Sequence, residues 1–409
     1  MSQNVKQVDV LLAPVLGPYN QLVNYQMKPL HTGNEFKNPV YSLVAKVKDV
    51  DSHKEKTLNI VVKGFPVSRN PRALYDVEVS FKKEIGIYDK FVNAIHEFHE
   101  EYGISNKFDM LPLYYGSRLS LDPRANAPDE NGVILLENLG ASGFKAVDRT
   151  VGFDLQTIQT VLHDLAAFHA IPLAYRLHKP QKFKQALLPL LTPSESSTLR
   201  KFTANEEDSL RQQIVKSAVE GLPRCALLAP RITQALEAAQ SHFKKPPPVN
   251  EQYATLIHNN LWLENVLIKF TGSKPIKSKF VDFKIATYDS LAKDLIFLLF
   301  SSVQKPVLDV HFDELIELYH KAFIQMLQRY ECDVSAYTLQ SLYSEIGRVI
   351  RTSEVLRLSF ILKIVYAERG VPKNGGNFDL DKLAHHSEGQ EYKRRLAETI
   401  NFLADRDWI

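Results

Sequence analysis

The chain has 409 residues, too many for one small core, so two or three packed units are expected. Its 44% hydrophobic and 24% charged residues match ordinary globular usage and disfavour a fibrous or disordered chain. A net charge of +3, from 50 basic against 47 acidic side chains, lies too near balance to call for nucleic acid or a membrane surface as partner.

The apolar run from Val10 to Leu16 has Asp9 beside it and Pro14 within it, which suits a short helix better than a leader segment. Tyr41 to Val47 and Thr57 to Lys63 flank a polar turn at 49–56 and predict a β-hairpin. Phe81, Ile85, Tyr88, Val92, Ile95 and Phe98 recur at spacings of four and three, predicting a helix from about Tyr75 to His99 with that stripe on the sheet. A short apolar strand, Val133 to Leu136, follows the polar loop 122–132 and ends at Glu137-Asn138-Leu139-Gly140.

Beyond this point the chain turns helix-rich. An amphipathic helix is predicted from Leu155 to Ala170, stopped by Pro172. Helical composition runs from Phe183 to Phe243 with breaks at Pro189, Pro193 and Pro223, and Lys244 to Pro248 makes a stiff connector. Helices are expected after Asp282, the last carrying Leu396, Ile400 and Leu403. The longest apolar patch, Leu295 to Phe300, is too short to cross a bilayer. Cys225 and Cys332 have no neighbouring Cys/His cluster and read as reduced, buried thiols of a cytoplasmic protein. The oligomeric state stays open.

The chemistry concentrates in His258-Asn259-Asn260-Leu261-Trp262-Leu263-Glu264-Asn265 and in Phe280-Val281-Asp282-Phe283. Phosphoryl transfer needs a lysine on the phosphates, a carboxylate to hold it, metal ligands, and a carboxylate that orients the nucleophile. Lys63 ends an apolar strand. Glu84, three residues after Phe81 and four before Tyr88, sits at the edge of the buried stripe, where a carboxylate wants a cation such as Lys63. Asn265 and Asp282 offer oxygen ligands suited to Mg²⁺. His258, His169 and Trp262 read as structural, the tryptophan as core bulk.

This pattern resembles the ecdysteroid kinase-like group within the choline-kinase and aminoglycoside-phosphotransferase superfamily. That group's catalytic loop reads H-G-D-x-W-x-N-N and its metal segment V-D-F-Q. Phe81-x-x-Glu84-x-x-x-Tyr88, Leu136-Glu137-Asn138-Leu139 with Gly143-Phe144, Leu165 to Ala170, and Asp294-Leu295 match the same group, from about Gly33 to Leu299. The resemblance implies an α+β, bilobal, protein-kinase-like fold with a small antiparallel-sheet N-lobe (1–137) carrying one main helix. A larger, mostly helical C-lobe (138–409) would hold the catalytic loop 258–265, the metal segment 280–284 and a helical insertion 183–243. It also implies ATP and Mg²⁺ as cofactors. Lys63 and Glu84 would grip phosphate, the backbone around Glu137 to Leu139 would bond adenine, and Asn265 and Asp282 would hold the metal. Asp294 would brace the loop from a helix N-terminus, where the macrodipole favours a carboxylate.

The sequence departs from that group at the positions that matter most. Asn260 stands where the group has its aspartate base, and a neutral amide takes no proton at physiological pH. Asn259 replaces the glycine, Glu264 the first asparagine, and Lys284 the glutamine after V-D-F. The stretch Gly33 to Pro39 aligns with the group's phosphate loop, but Pro39 removes a backbone donor. Two functions follow: ATP-dependent transfer to a hydroxyl of a small, steroid-like molecule, weakened or lost through Asn260, or a pseudokinase that binds or regulates. A protein kinase is disfavoured by the lack of an Ala-Pro-Glu segment after Asp282.

Overall fold

The computed structural model describes residues 5–30, 39–66, 77–104, 108–192, 203–366 and 389–409. Tyr75, Pro193 and residues 33–38 of the expected phosphate loop lie outside them.

Five strands form the N-terminal sheet: β1 (Asn20–Pro29), β2 (Val40–Asp49), β3 (Glu55–Gly64), β4 (Tyr114–Arg118) and β5 (Val133–Glu137). Their spatial order is β1-β2-β3-β5-β4, and every neighbouring pair is antiparallel. The predicted hairpin is β2–β3, with Val40 opposite Lys63. Because side chains alternate across a strand, Leu43, Ala45 and Val47 of β2 share a buried face with Ile60 and Val62 of β3, and Lys63 points the other way. The first face is covered by α1 (Val8–Leu16), which lays Val8, Leu11, Leu12 and Leu16 on it. Contact is close enough that a Cβ on Gly116, whose φ is +145°, would lie 2.7 Å from the Leu11 carbonyl oxygen.

The opposite face carries the main helix, which is not the single α-helix that the periodicity suggests. It runs as α2 (Val77–Gly86), a π-helical turn (Ile87–Phe91) and α3 (Val92–Glu101). A π turn adds one residue to the helical circuit and rotates the apolar face. Ile87 and Phe91 are therefore fully buried, while Ile85 and Val92 of the expected stripe are only half-buried. Glu84, expected at the stripe's edge, is buried as well.

In the C-terminal region α4 (Leu155–His178) continues straight through Pro172, correcting the expected stop. An internal proline costs about 3 kcal/mol through its missing donor and its ring clash. Here that cost is offset by burial on all sides, since Leu165 to Tyr175 are buried without exception. Such a helix is a central one. Around it lie two small antiparallel sheets, one ordered β6 (Phe144–Ala146), β8 (Val266–Thr271), β9 (Lys274–Phe280), the other pairing β7 (Ala254–Ile257) with β10 (Thr287–Ser290).

The insertion begins with a π turn (Phe183–Leu187) and a short helix (Leu188–Leu191) that keeps Pro189 in its first turn, where proline is tolerated, so no break occurs there. It continues in α5 (Ala204–Gly221), started by a Thr203/Glu206 capping box, and α6 (Cys225–Lys244), with the expected break at Pro223 between them. The remaining helices are α7 (Ala292–Ser302), α8 (Lys305–Arg329), α9 (Leu339–Val349), α10 (Val355–Val365) and α11 (Gln390–Asp405). Ile214, Ile232 and Leu236 of the insertion form a separate apolar cluster with Leu356 and Leu362 of α10 and with Leu396 and Ile400 of α11. Cys225 is buried and Cys332 half-buried, both as free thiols. Among the described residues no helix is long and apolar enough to cross a membrane.

Candidate functional site

Alternation in β3 aims Lys63 at the face that carries α2, and Glu84 on α2 meets it. The Lys63 Nζ lies 2.5 Å from Glu84 Oε2 and 2.8 Å from Asp282 Oδ1, which joins the sheet to the segment after β9. The second Asp282 oxygen is taken too, by Lys284 Nζ at 3.0 Å. Burial would lower the Lys63 ammonium, but the carboxylates of Asp282 and Glu84 more than offset it and hold it above the ordinary lysine range. Burial likewise opposes the charged Asp282, yet Lys63 and Lys284 keep its carboxyl far below the usual aspartate range. Asp282 has φ +71°, a left-handed geometry uncommon for non-glycine residues and more accessible to Asp than to most. The next residue, Phe283, is fully buried against the rings of Tyr88, Phe168 and His258, which fixes where the Asp282 carboxylate emerges.

The loop between β7 and β8 is braced by one buried carboxylate. Asp294 is the third residue of α7 and fully buried; its Oδ2 accepts from the His258 N–H at 2.6 Å and its Oδ1 from the Asn259 N–H at 2.8 Å. His169 Nε2 adds a third bond at 3.3 Å. Facing a carboxylate, that nitrogen must carry the proton, so Nδ1 accepts from the Tyr319 hydroxyl at 2.7 Å. Burial raises the cost of a charged Asp294, but these bonds, led by His169, pull its carboxyl below the ordinary value. His258 points Nε2 at the Val281 carbonyl, 2.8 Å away, tying the loop to the Asp282 segment. Burial pushes both histidines below their ordinary pKa, so they stay neutral and structural, as their sequence context implied.

Asn259 has φ +62°, the left-handed geometry that the corresponding glycine would supply and that Asn tolerates better than most residues. Its carbonyl accepts from Arg357 Nη2 at 2.5 Å. Arg357 also pairs with the fully buried Glu354 at 2.9 Å and stacks on Phe297. Asn260 is half-buried in the bend, and its carbonyl accepts from Asn265 Nδ2 at 2.8 Å. Trp262 is buried. Glu264 is exposed on the 3-10 turn Leu263–Asn265, while Asn265 itself is buried.

At the junction after β5, the Glu137 side chain is committed to structure. Its Oε2 pairs with Lys279 at 2.7 Å and accepts the Leu113 N–H at 3.2 Å, and its Oε1 accepts from Ser142 at 2.6 Å. Burial works against this carboxylate, and the Lys279 and Ser142 bonds outweigh it, leaving its pKa lowered. Leu139 is buried and its carbonyl accepts from the Phe144 N–H at 2.9 Å. Among the described residues no backbone acceptor takes the Leu139 N–H, which suits a donor for a planar base.

The group at Lys63, Glu84 and Leu139 fits a nucleotide: a cation held by a carboxylate, and a backbone donor at the strand end. The expected Mg²⁺ on Asn265 and Asp282 fits less well. Both Asp282 oxygens face ammonium groups, and Asn260 adds no charge. A divalent cation at Asp282 would share each carboxylate oxygen with an ammonium. The sequence flagged Lys284 as a new cation but not its partner. It gave no sign of Arg357, which reaches the loop from a distant helix turn.

The ecdysteroid kinase-like family model matches residues 32–332. Among solved structures, an ethanolamine kinase of Plasmodium vivax is similar at 11% identity and a TM-score of 0.37, covering 94% of this chain and 84% of that one. A choline kinase of Cryptosporidium parvum is similar at 12% identity and TM-score 0.41, covering 94% and 91%. The GDP complex of an aminoglycoside 2'-phosphotransferase-IIIa is similar at 14% identity and TM-score 0.42, covering 92% and 94%. No curated protein matches the chain.

Proposed function

Because the chain belongs to the ecdysteroid kinase-like family, we propose that it binds ATP between the two lobes and transfers phosphate to a small hydroxylated molecule slowly at best. The observation that carries the reading is the intact grip beside the altered loop. Lys63 is braced by Glu84 at 2.5 Å and spans to Asp282 at 2.8 Å, while Asn260 supplies an amide where a carboxylate would orient the nucleophile.

Lys63 would neutralise phosphate oxygens as charge spreads over them in the loose transition state. Asn260 can hydrogen-bond an acceptor hydroxyl and align it, but cannot take its proton, a loss worth about 10²–10⁴-fold in rate. The acceptor, steroid-like by family, would lie between Asn260 and the insertion. Leu191 of that insertion accepts a bond from Thr287 of β10, the strand paired with β7 that leads into the loop.

Saturating ATP should raise the melting temperature whether the buffer contains EDTA or Mg²⁺, by the equivalent of about 2.7 kcal/mol at a hundredfold excess over Kd. No shift in either buffer refutes the reading. Asn260→Asp should raise phosphate transfer at least about tenfold, read as ADP release with hydroxylated acceptors. A wild-type rate in the ordinary kinase range of about 1–100 s⁻¹ refutes the impairment. A second reading, a binding or regulatory protein without turnover, is favoured by the Lys284 ammonium 3.0 Å from Asp282. It predicts that Asn260→Asp binds ATP and still transfers nothing.

A further inference from the structure

Lys284 sits against Asp282 with no role in the phosphate transfer proposed above. We infer that Lys284 takes the place of a divalent cation, so that the cleft binds nucleotide polyphosphate without a metal. The inference rests on the nucleotide-binding reading above and specifies what neutralises the phosphates.

Lys63 and Lys284 balance Glu84 and Asp282, so the four side chains are neutral together. The related group, with aspartate at position 260 and glutamine at position 284, would carry two negative charges in the same place, the amount one Mg²⁺ balances. Asn260 and Lys284 each shift the site by one positive charge. Together they write into this group the two charges that a bound ion would bring, while Glu264, the other charge change in the loop, is exposed on the 3-10 turn and stands outside the group counted.

Geometry agrees with the count. The two ammonium groups bracket one carboxylate, at 2.8 Å on Oδ1 and 3.0 Å on Oδ2, so each oxygen of Asp282 already carries a cation. Lys284 is half-buried and Asp282 is held in left-handed geometry with Phe283 anchored in the core, so the bracket is positioned rather than a chance pair on the surface. An ammonium is a compact donor that binds phosphate as a point charge. With a polyphosphate in the cleft, Lys284 and Lys63 can turn their remaining N–H donors to its oxygens while Asp282 keeps them aligned. A divalent ion arriving at Asp282 would face both ammonium charges at short range.

ATP binding to the full chain, measured by calorimetry in EDTA and in Mg²⁺, tests this. The wild type should bind ATP in EDTA at least as tightly as with Mg²⁺. Lys284→Gln should weaken binding in EDTA about tenfold or more and make it improve on adding Mg²⁺, and Lys284→Arg should retain metal-free binding. Unliganded melting temperatures of the variants within a few degrees of wild type would show that the fold is kept. Binding of wild type that is tenfold tighter with Mg²⁺, or Lys284→Gln binding in EDTA unchanged within twofold, overturns the inference and leaves the nucleotide reading standing. Absence of binding in both buffers overturns the two together.

Discussion

Replacing Asp294 by asparagine tests how much of the loop rests on one buried charge. The carboxylate accepts from the His258 N–H, the Asn259 N–H and His169 Nε2, and it is fully buried. An amide of the same shape can keep only one oxygen, so its NH₂ must face a donor whichever way it turns. Turned toward Asn259, it strands two donors, the amide and the Asn259 N–H. Turned toward His258, the NH₂ can give a proton to His169 if that ring changes tautomer, with Nδ1–H then donating to Tyr319, and one N–H remains stranded. Each buried unpaired donor costs about 1–3 kcal/mol, so the relaxed variant should lose roughly 2–4 kcal/mol once the weakened charged bonds are included. The assay is urea unfolding of the full chain.

The acid side gives an independent check. Asp294 titrates below its ordinary value of 3.8 when folded, so the unfolded chain binds the proton more readily. Its contribution is therefore present above that value and lost as pH falls through the lower, folded one. The variant has no such loss, and the gap between the two proteins should narrow below about pH 4. A gap under about 0.5 kcal/mol at neutral pH would refute the bracing role.

Two further outcomes can be measured the same way. Arg357→Ala leaves the fully buried Glu354 without its cation and frees the Asn259 carbonyl; a loss of about 3–5 kcal/mol is expected, and Arg357→Lys should restore only part of it, whereas an unchanged melting point would show that the pair is idle. His169 and His258 have folded pKa values below the ordinary 6.5, so unfolding takes up protons as pH falls past 6.5. Stability present above that pH should decline below it by up to about 1.4 kcal/mol per pH unit for each ring, and His169→Gln should flatten the slope; a level profile from pH 6.5 to 5 would contradict the buried neutral state.

The parts of this protein that were legible in its sequence are those set by local pattern. The β2–β3 hairpin follows from alternating apolar residues around a polar turn, and the place of Glu84 at the edge of the helix's apolar stripe pointed to Lys63 as its partner, a pair that the family resemblance also implied. The Asn259 turn was readable because the group it resembles carries glycine there, and Asn tolerates the same left-handed φ. What escaped is what tertiary burial decides. Pro172 ends a helix by local chemistry, yet α4 passes through it because its flanks are buried on every side. The π turn at Ile87–Phe91 shifts the apolar face by an insertion that a regular spacing cannot reveal. Arg357 belongs to the site only because α10 begins beside the loop, a juxtaposition with no trace in the spacing of the motif.

The N-terminal helix α1 has a consequence for how the lobe is assembled. Its partners are the sheet residues Leu43, Ile60, Val133 and Leu135, and the Arg118 guanidinium reaches back to the Lys6 carbonyl at 2.6 Å. The helix therefore precedes the last strands of its own docking surface by roughly a hundred residues of chain, and such non-local contacts are slow to form because the loop between them must first be closed. On a folding pathway α1 should dock late, after β4 and β5 have paired. Until it does, Leu43, Val47 and Val62 form an open apolar face, which makes the interval before α1 docks the one in which this lobe is most prone to aggregate.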